Sequence, residues 1–323
     1  MTTITIPLGE LIIHPEDNPD LSELSEDALS EAVLEYYDFL GSDADVSVQD
    51  DGLHIEIADP EPSQHDQAMR TYNRAVDLGE RASSRRAVRL FTQVVEVLPG
   101  HVDARRNLAM AHLEAGDPET AKEFLIQTLR LDPEDAWSYV LLGNIAARHE
   151  DNLDRALVYF ERAVEIAPRD PMIATNYAAI LAKQDKLDEA SDTFLRAIEI
   201  EPTYPNPYYA LAKIAYDRGE PMRAIHVLDN MFDIGTGPEA RNQSLFDEAR
   251  ELYLQANTKF AKANREALMA LVEQRAEEIE ALSGYPVRLV EEPELQISAT
   301  TRIAWRHDRD HHLLRYRTAE RPD

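Results

Sequence analysis

The densest group of side chains able to hold a metal ion or move a proton is His307, Asp308, Asp310, His311 and His312. Imidazoles and carboxylates at such close spacing suit zinc or another divalent cation. The run also straddles Asp308-Arg309-Asp310, between two apolar-alternating stretches, where a hairpin turn calls for polar residues in any case. It is therefore read as turn chemistry, and neither a metal nor any other cofactor is expected. The sequence has no glycine-rich phosphate loop, no His-Glu-x-x-His and no Gly-x-Ser-x-Gly, the spacings that phosphate transfer, zinc hydrolysis and serine nucleophiles need. With no cysteine, the chain has neither a disulfide framework nor a thiolate ligand or nucleophile. No catalytic residue is expected, so function must lie in binding.

The elements that would carry a binding surface follow from a repeat. Ala87, Ala121, Ala156, Ala190 and Ala224 stand at steps of 34, 35, 34 and 34 residues. Four positions on come Phe91, Leu125, Phe160, Phe194 and Leu228, and three further Val94, Thr128, Ala163, Ala197 and Met231. Offsets of four and three keep these side chains on one helical face. Pro99, Pro133, Pro168 and Pro202 then stop the helix, since proline has no N–H to continue it, and Gly235 stands in that place in the last unit. An earlier helix in each unit is marked by Leu108-Ala109, Leu142-Gly143, Tyr177-Ala178 and Leu211-Ala212. Turns such as Gly116-Asp117-Pro118 and Gly219-Glu220-Pro221 divide the two helices. Each unit is a helix, a turn and a helix, which buries its apolar face only by stacking on its neighbours.

This order of small, alanine, aromatic, alanine and proline positions resembles the tetratricopeptide repeat family across residues 67–236. The resemblance implies a mainly α fold, an α-solenoid of five to six helix-turn-helix repeats. The departures are local: Thr128 replaces a small alanine, and residues 149–154 hold one extra residue. In that family the first helix of each unit lines a concave groove for a peptide or protein. Carried over, the groove comprises Met69, Tyr72, Arg106, Met110, Trp137, Asn144, Arg148, Asn176, Lys183, Tyr209, Lys213 and Tyr216. The asparagines would pair backbone amides, and Trp137, Met110 and Tyr209 would receive side chains. Some members grip the terminal carboxylate of chaperone tails with three cations beside two asparagines. Here Asn144 and Asn176 match the asparagines while Val140, Asn206 and Ala210 replace the cations, so that ligand is not expected. Arg106, Arg148, Lys183 and Lys213 still leave the groove less acidic than the rest, compatible with an acidic peptide.

Small elements flank the array. Residues 1–58 read as an acidic β-α-β-β unit: Ile4, Ile6 and Leu8 alternate, Leu29, Val33, Tyr36, Tyr37 and Leu40 keep helical spacing after Asp20 or Ser22, and Val46 and Val48 face Leu53, Ile55 and Ile57 across Asp50-Asp51-Gly52. This unit is expected to pack on the first repeat or on another chain. Residues 59–66 read as a linker, 237–284 as capping helices or a degenerate sixth repeat, and 285–323 as a β-rich extension of three strands. The net charge is −28, and residues 1–65 hold seventeen Asp and Glu with no Lys or Arg. Such a surface repels phosphate backbones and anionic lipid, so neither nucleic acid nor membrane is the expected partner. With no signal-like or spanning segment, a cytoplasmic scaffold is expected. The carboxyl end is locally basic, with six arginines from Arg302 to Arg321. An alternative is thus a self-assembling subunit, a homo-oligomer pairing acidic and basic ends. A second is a truncated or inactive piece of a zinc metallopeptidase, which a long helix followed by strands through Leu313-Leu314-Arg315-Tyr316-Arg317 resembles.

Overall fold

The computed structural model describes residues 2–7, 10–11, 26–41, 44–49, 52–79, 84–234, 243–263, 287–291, 302–307 and 312–317, with single positions at Gln274, Glu277, Glu278 and Ala281. It divides into two compact units, Met1–Gln184 and Asp185–Asp323. The described residues are mainly α-helical, with a small three-stranded sheet toward each end of the chain.

The first unit runs β1 (Thr2–Ile6), α1 (Glu26–Tyr36), β2 (Ala44–Gln49), β3 (Gly52–Ile57), α2 (Pro62–Gly79), α3 (Ser84–Val97), α4 (Val102–Glu114), α5 (Pro118–Leu131), α6 (Ala136–Arg148), α7 (Leu153–Ile166) and α8 (Pro171–Lys183). Helices pair as α2 with α3, α4 with α5 and α6 with α7, and each pair packs on the next. Ala87, Ala121 and Ala156 are wholly buried at the crossings. Gly143 shows why one crossing is so close: a Cβ there would lie 2.7 Å from the Phe160 ring. Asp117, Asp135, Asn152 and Asp170 cap α5, α6, α7 and α8, each accepting from backbone N–H groups of its helix's first turn.

Helix α2 opens at Pro62, inside the stretch read as a linker. Proline is tolerated in a first turn, where its missing N–H has no acceptor to serve. Helix α1 ends at Tyr36, and Asp38–Leu40 form a separate 3-10 turn closed by Gly41 at φ 79°. The amino-terminal sheet has the order β1-β3-β2, antiparallel throughout, with Ile55 between Ile4 and Val46 and Leu53 between Ile6 and Val48. Its core of Ile6, Leu11, Leu29, Val33, Tyr37, Leu40, Leu53, Ile55 and Ile57 includes Leu131, with Val102 packed against it. The sheet unit thus rests on α4 and α5 of the second repeat. Tyr37 donates its hydroxyl proton to the Arg130 carbonyl at 2.6 Å, and Arg130 Nη1 donates to the Tyr36 carbonyl at 2.8 Å. The Arg105 and Arg130 guanidiniums stand 4.6 Å and 4.8 Å from the Phe39 and Tyr36 ring centres.

The second unit runs α9 (Leu187–Ile200), α10 (Asn206–Asp217), α11 (Pro221–Ile234), α12 (Gln243–Ala263), β4 (Val287–Glu291), β5 (Arg302–His307) and β6 (His312–Arg317). Helix α12 supplies Phe246, Ala249, Leu252, Tyr253 and Ala256 to one core with Ala224, Leu228 and Met231 of α11. The last strands form a sheet of order β4-β6-β5, in which β4 and β6 are parallel and His307 stands opposite His312. Leu8, the expected Asp20 or Ser22 cap, the hairpin residues Asp50 and Asp51, Gly235, most of residues 264–284 in the stretch expected as capping helices or a sixth repeat, and Asp308, Asp310 and His311 lie outside the described residues.

Candidate peptide-binding surface

The first helices of the repeats are α2, α4, α6 and α8 in one unit and α10 in the other. Their expected groove residues divide into those engaged within the chain and those that offer atoms outward. Tyr72 is engaged. Its hydroxyl accepts from Asn107 Nδ2 at 3.1 Å, and its ring lies 5.0 Å from the His101 imidazole and 5.9 Å, edge-on, from Phe91. Burial, followed by the charge of Asp103, pushes its phenol up from the ordinary range. Arg106 is engaged too. It bridges Asp103 of its own helix and Asp135, whose carboxylate also accepts from the Ser138 N–H at 3.0 Å as the cap of α6. Arg106 thereby ties α4 to the start of α6, and most of its charge is neutralised there.

The surface left available in this unit is made by α4, α6 and α8. Met110 and Met172 are 40% and 45% exposed, where large apolar side chains are usually covered. Met69 and Trp137 are half-buried, presenting part of their apolar surface. Asn144 and Asn176 are half-buried, and their amides have no hydrogen-bond partner among the described residues. Asn176 occupies the repeat position of Asn107, the residue that reaches Tyr72 on the preceding first helix. Arg148 and Lys183, near the carboxyl ends of α6 and α8, are without an ion pair among the described residues. Val140 and Thr175 are buried and belong to the core.

In the other unit the expected groove residues meet α12. Tyr209 packs against the α12 core, and burial followed by Glu248 raises its phenol. Tyr216 lies 4.6 Å beneath the Lys259 ammonium, which also donates to its carbonyl at 3.1 Å. Lys213 remains exposed, 4.0 Å from Asp217. Two residues absent from the expected groove hold two of its expected members in place. Asp135 is buried and fixes Arg106, and Asn107 satisfies Tyr72. The Asp135-to-Ser138 spacing before an apolar run was the sequence signal for the first; nothing local marked the second.

Among the described residues no helix is long and apolar enough to cross a membrane, and no cluster of His, Asp and Glu is placed to hold a metal ion. The described carboxyl-terminal strands carry no described side chains, so the expected pairing of the chain's ends lies outside what is described.

Residues 84–141 and 147–214 match the family model described as tetratricopeptide repeat. A search of curated proteins finds no match. Among solved structures, PilF of Pseudomonas aeruginosa aligns with a TM-score of 0.51 at 17% identity, over 68% of this chain and 94% of its own. PilW, titled a widely conserved type IV pilus biogenesis factor, aligns with the same TM-score, identity and coverages. A protein of Thermus thermophilus, titled a thermophilic TPR protein, aligns with a TM-score of 0.49 at 19% identity over 56% of this chain and 98% of its own. At such identities the likeness extends to the fold alone.

Proposed function

Because this chain belongs to the tetratricopeptide-repeat family, we propose that it is a non-enzymatic scaffold holding an extended segment of a partner protein on the first helices of its repeats. The observation that carries this reading is the pair Asn144 and Asn176, whose half-buried amides have no partner among the described residues. Amides that are open to solvent and have no intramolecular partner can exchange water for a ligand's backbone groups, a net gain of about 0.5–1.5 kcal/mol per hydrogen bond. An asparagine both donates and accepts, so it matches the N–H and C=O of an extended backbone whatever the side chains. Met110, Met172 and Trp137 supply adaptable apolar contact around them.

Charge narrows the partner. Arg148 and Lys183 are cations without ion-pair partners among the described residues, on a chain whose net charge is −28. They favour an acidic segment at this surface, while the net negative charge of the chain disfavours one elsewhere.

The test is affinity capture from the source cells with the wild-type chain and with a variant carrying Trp137→Ala, Asn144→Ala and Asn176→Ala. Loss of specific partners with an unchanged circular dichroism spectrum is expected. Unchanged recovery removes this surface from the function.

A further inference from the structure

A second place in the first compact unit has the makings of a binding site. Between the amino-terminal sheet unit and helices α2 and α3 lies a cleft of about 790 Å³, within the size range of ligand sites, about 300–1,000 Å³. A smaller cavity of about 220 Å³ shares Ala58, Asp59, Pro60, Val97 and Pro99 with it and ends at His65 and His101. The two adjoining hollows run along the same chain segments, which gives the site length as well as volume.

Its lining is of three kinds. Phe39 and Val97 provide apolar surface, and Val97 is 38% exposed on α3. Gln67 on α2 and Gln93 on α3 provide side-chain amides, neither with a hydrogen-bond partner among the described residues. Asp59 and Glu96 provide carboxylates, and no lysine or arginine lines either cavity among the described residues. Asp59 accepts from the amino terminus and, at 2.9 Å, from the Thr2 hydroxyl, which hold its carboxyl below the usual range and offset its charge, so Glu96 is the carboxylate that this lining offers a ligand.

We infer that this cleft is a second docking site, for an extended peptide segment that alternates apolar residues with lysine or arginine. Amides on both helices pair the N–H and C=O groups of an extended chain, which a compact small molecule does not present in series. The apolar side chains of alternate residues seat against Phe39 and Val97, leaving the intervening ones at the rim beside Glu96. The sign of the partner's charge follows from the lining and from the surrounding field. Residues 1–65 carry seventeen acidic and no basic side chains, which steers cations to this end of the unit and repels phosphates. The inference is independent of the concave surface, whose free cations prefer the opposite charge.

Fluorescence anisotropy with the full-length protein tests it. The probe is a fluorescein-labelled eight-residue peptide alternating valine with lysine, compared with valine–glutamine and valine–glutamate peptides of equal length. The lysine peptide should bind most tightly and weaken as salt rises, and the glutamate peptide should not bind. Glu96→Lys and Val97→Asp, both at exposed positions that a helix tolerates, should each weaken the lysine peptide by roughly tenfold or more. Glu96→Gln should weaken it less, and Asn144→Ala with Asn176→Ala should leave it unchanged. Binding no tighter than that of the glutamine peptide overturns the inference. So does indifference to Glu96→Lys and Val97→Asp, and so does an equal loss in the asparagine variant, which would move the peptide to the concave surface.

Discussion

The surface on α4, α6 and α8 and the cleft beside α2 and α3 belong to one compact unit and offer side chains of the same kind. Each sets side-chain amides with no partner among the described residues, Asn144 and Asn176 in one and Gln67 and Gln93 in the other, beside exposed apolar side chains. They differ in the charge at the rim, Arg148 and Lys183 against Glu96 in a lining without lysine or arginine among the described residues. Amides accept any extended backbone, so they cannot choose between partners. The choice falls to the rim charges, which act by attraction toward one partner and repulsion of the other. The lesson is that a scaffold can present two similar clamps and keep their ligands apart through a few exposed side chains.

The strongest way to break this comparison is to remove one region and ask whether the other survives. Leu53→Asp places an uncompensated charge at the wholly buried centre of the amino-terminal sheet, a change that costs about 3–5 kcal/mol. It should abolish binding of the valine–lysine peptide, leave most helical circular dichroism intact and leave partner capture by the concave surface unchanged. Loss of both would show that the sheet unit supports the whole array. Phe160→Ala is the reciprocal change. Phe160 is fully buried against Gly143, the residue before Asn144, and its truncation should cost about 3–5 kcal/mol in chemical denaturation. Partner capture should fall while the lysine peptide still binds.

How much of this was legible in the sequence depends on how far apart the interacting residues are. The ladder of Ala87, Ala121 and Ala156 is visible because each helix declares its buried face within one or two turns, and all three alanines are wholly buried. Asn144 and Asn176 were legible through repeat register alone. Arg106 looked like a free groove cation because its partner, Asp135, lies 29 residues on. The cleft was missed for two reasons. Residues 59–66 read as a linker, although Gln64, Gln67 and Thr71 keep helical spacing, and Pro62 begins a helix there. The cleft also exists only because the sheet unit docks on the second repeat, through the Tyr37–Arg130 hydrogen bond between residues 93 positions apart. Spacing reveals which face a helix buries, while long-range pairing of two faces leaves no local mark.

Smaller changes sharpen the contrast. Asp135→Ala removes the cap of α6 and the partner of Arg106, and should lower stability by about 1–2 kcal/mol. Released from Asp135 and held only by the more exposed Asp103, Arg106 would offer more of its charge beside Met110. Acidic peptides should then bind the concave surface at least as tightly as before, and the lysine peptide in the cleft should not respond. Weaker binding of acidic peptides would mean that Arg106 acts there only by holding α4 to α6.

The smallest expected effect is a pH dependence confined to the cleft. His101 caps α4, its Nδ1 accepting from the Ala104 N–H at 3.2 Å, and it lines the smaller cavity. Burial lowers its pKa below the ordinary histidine value; Asp103 opposes this, while His65 and Arg106 add to it. A base whose pKa is lower in the folded than in the unfolded chain stabilises fully above its unfolded value, about pH 6.5, and loses that contribution as pH falls. Protonation also removes the acceptor that caps the helix. Between about pH 7.5 and pH 5.5 the wild type should therefore lose slightly more thermal stability than His101→Asn, which caps without titrating, a difference of about 0.5 kcal/mol at the low end for caps. The valine–lysine peptide should weaken over the same interval in the wild type and less so in the variant, because an imidazolium in the wall opposes a cationic ligand. Equal weakening in both would show that protonation of His101 does not reach the peptide and leave His101 a purely structural cap.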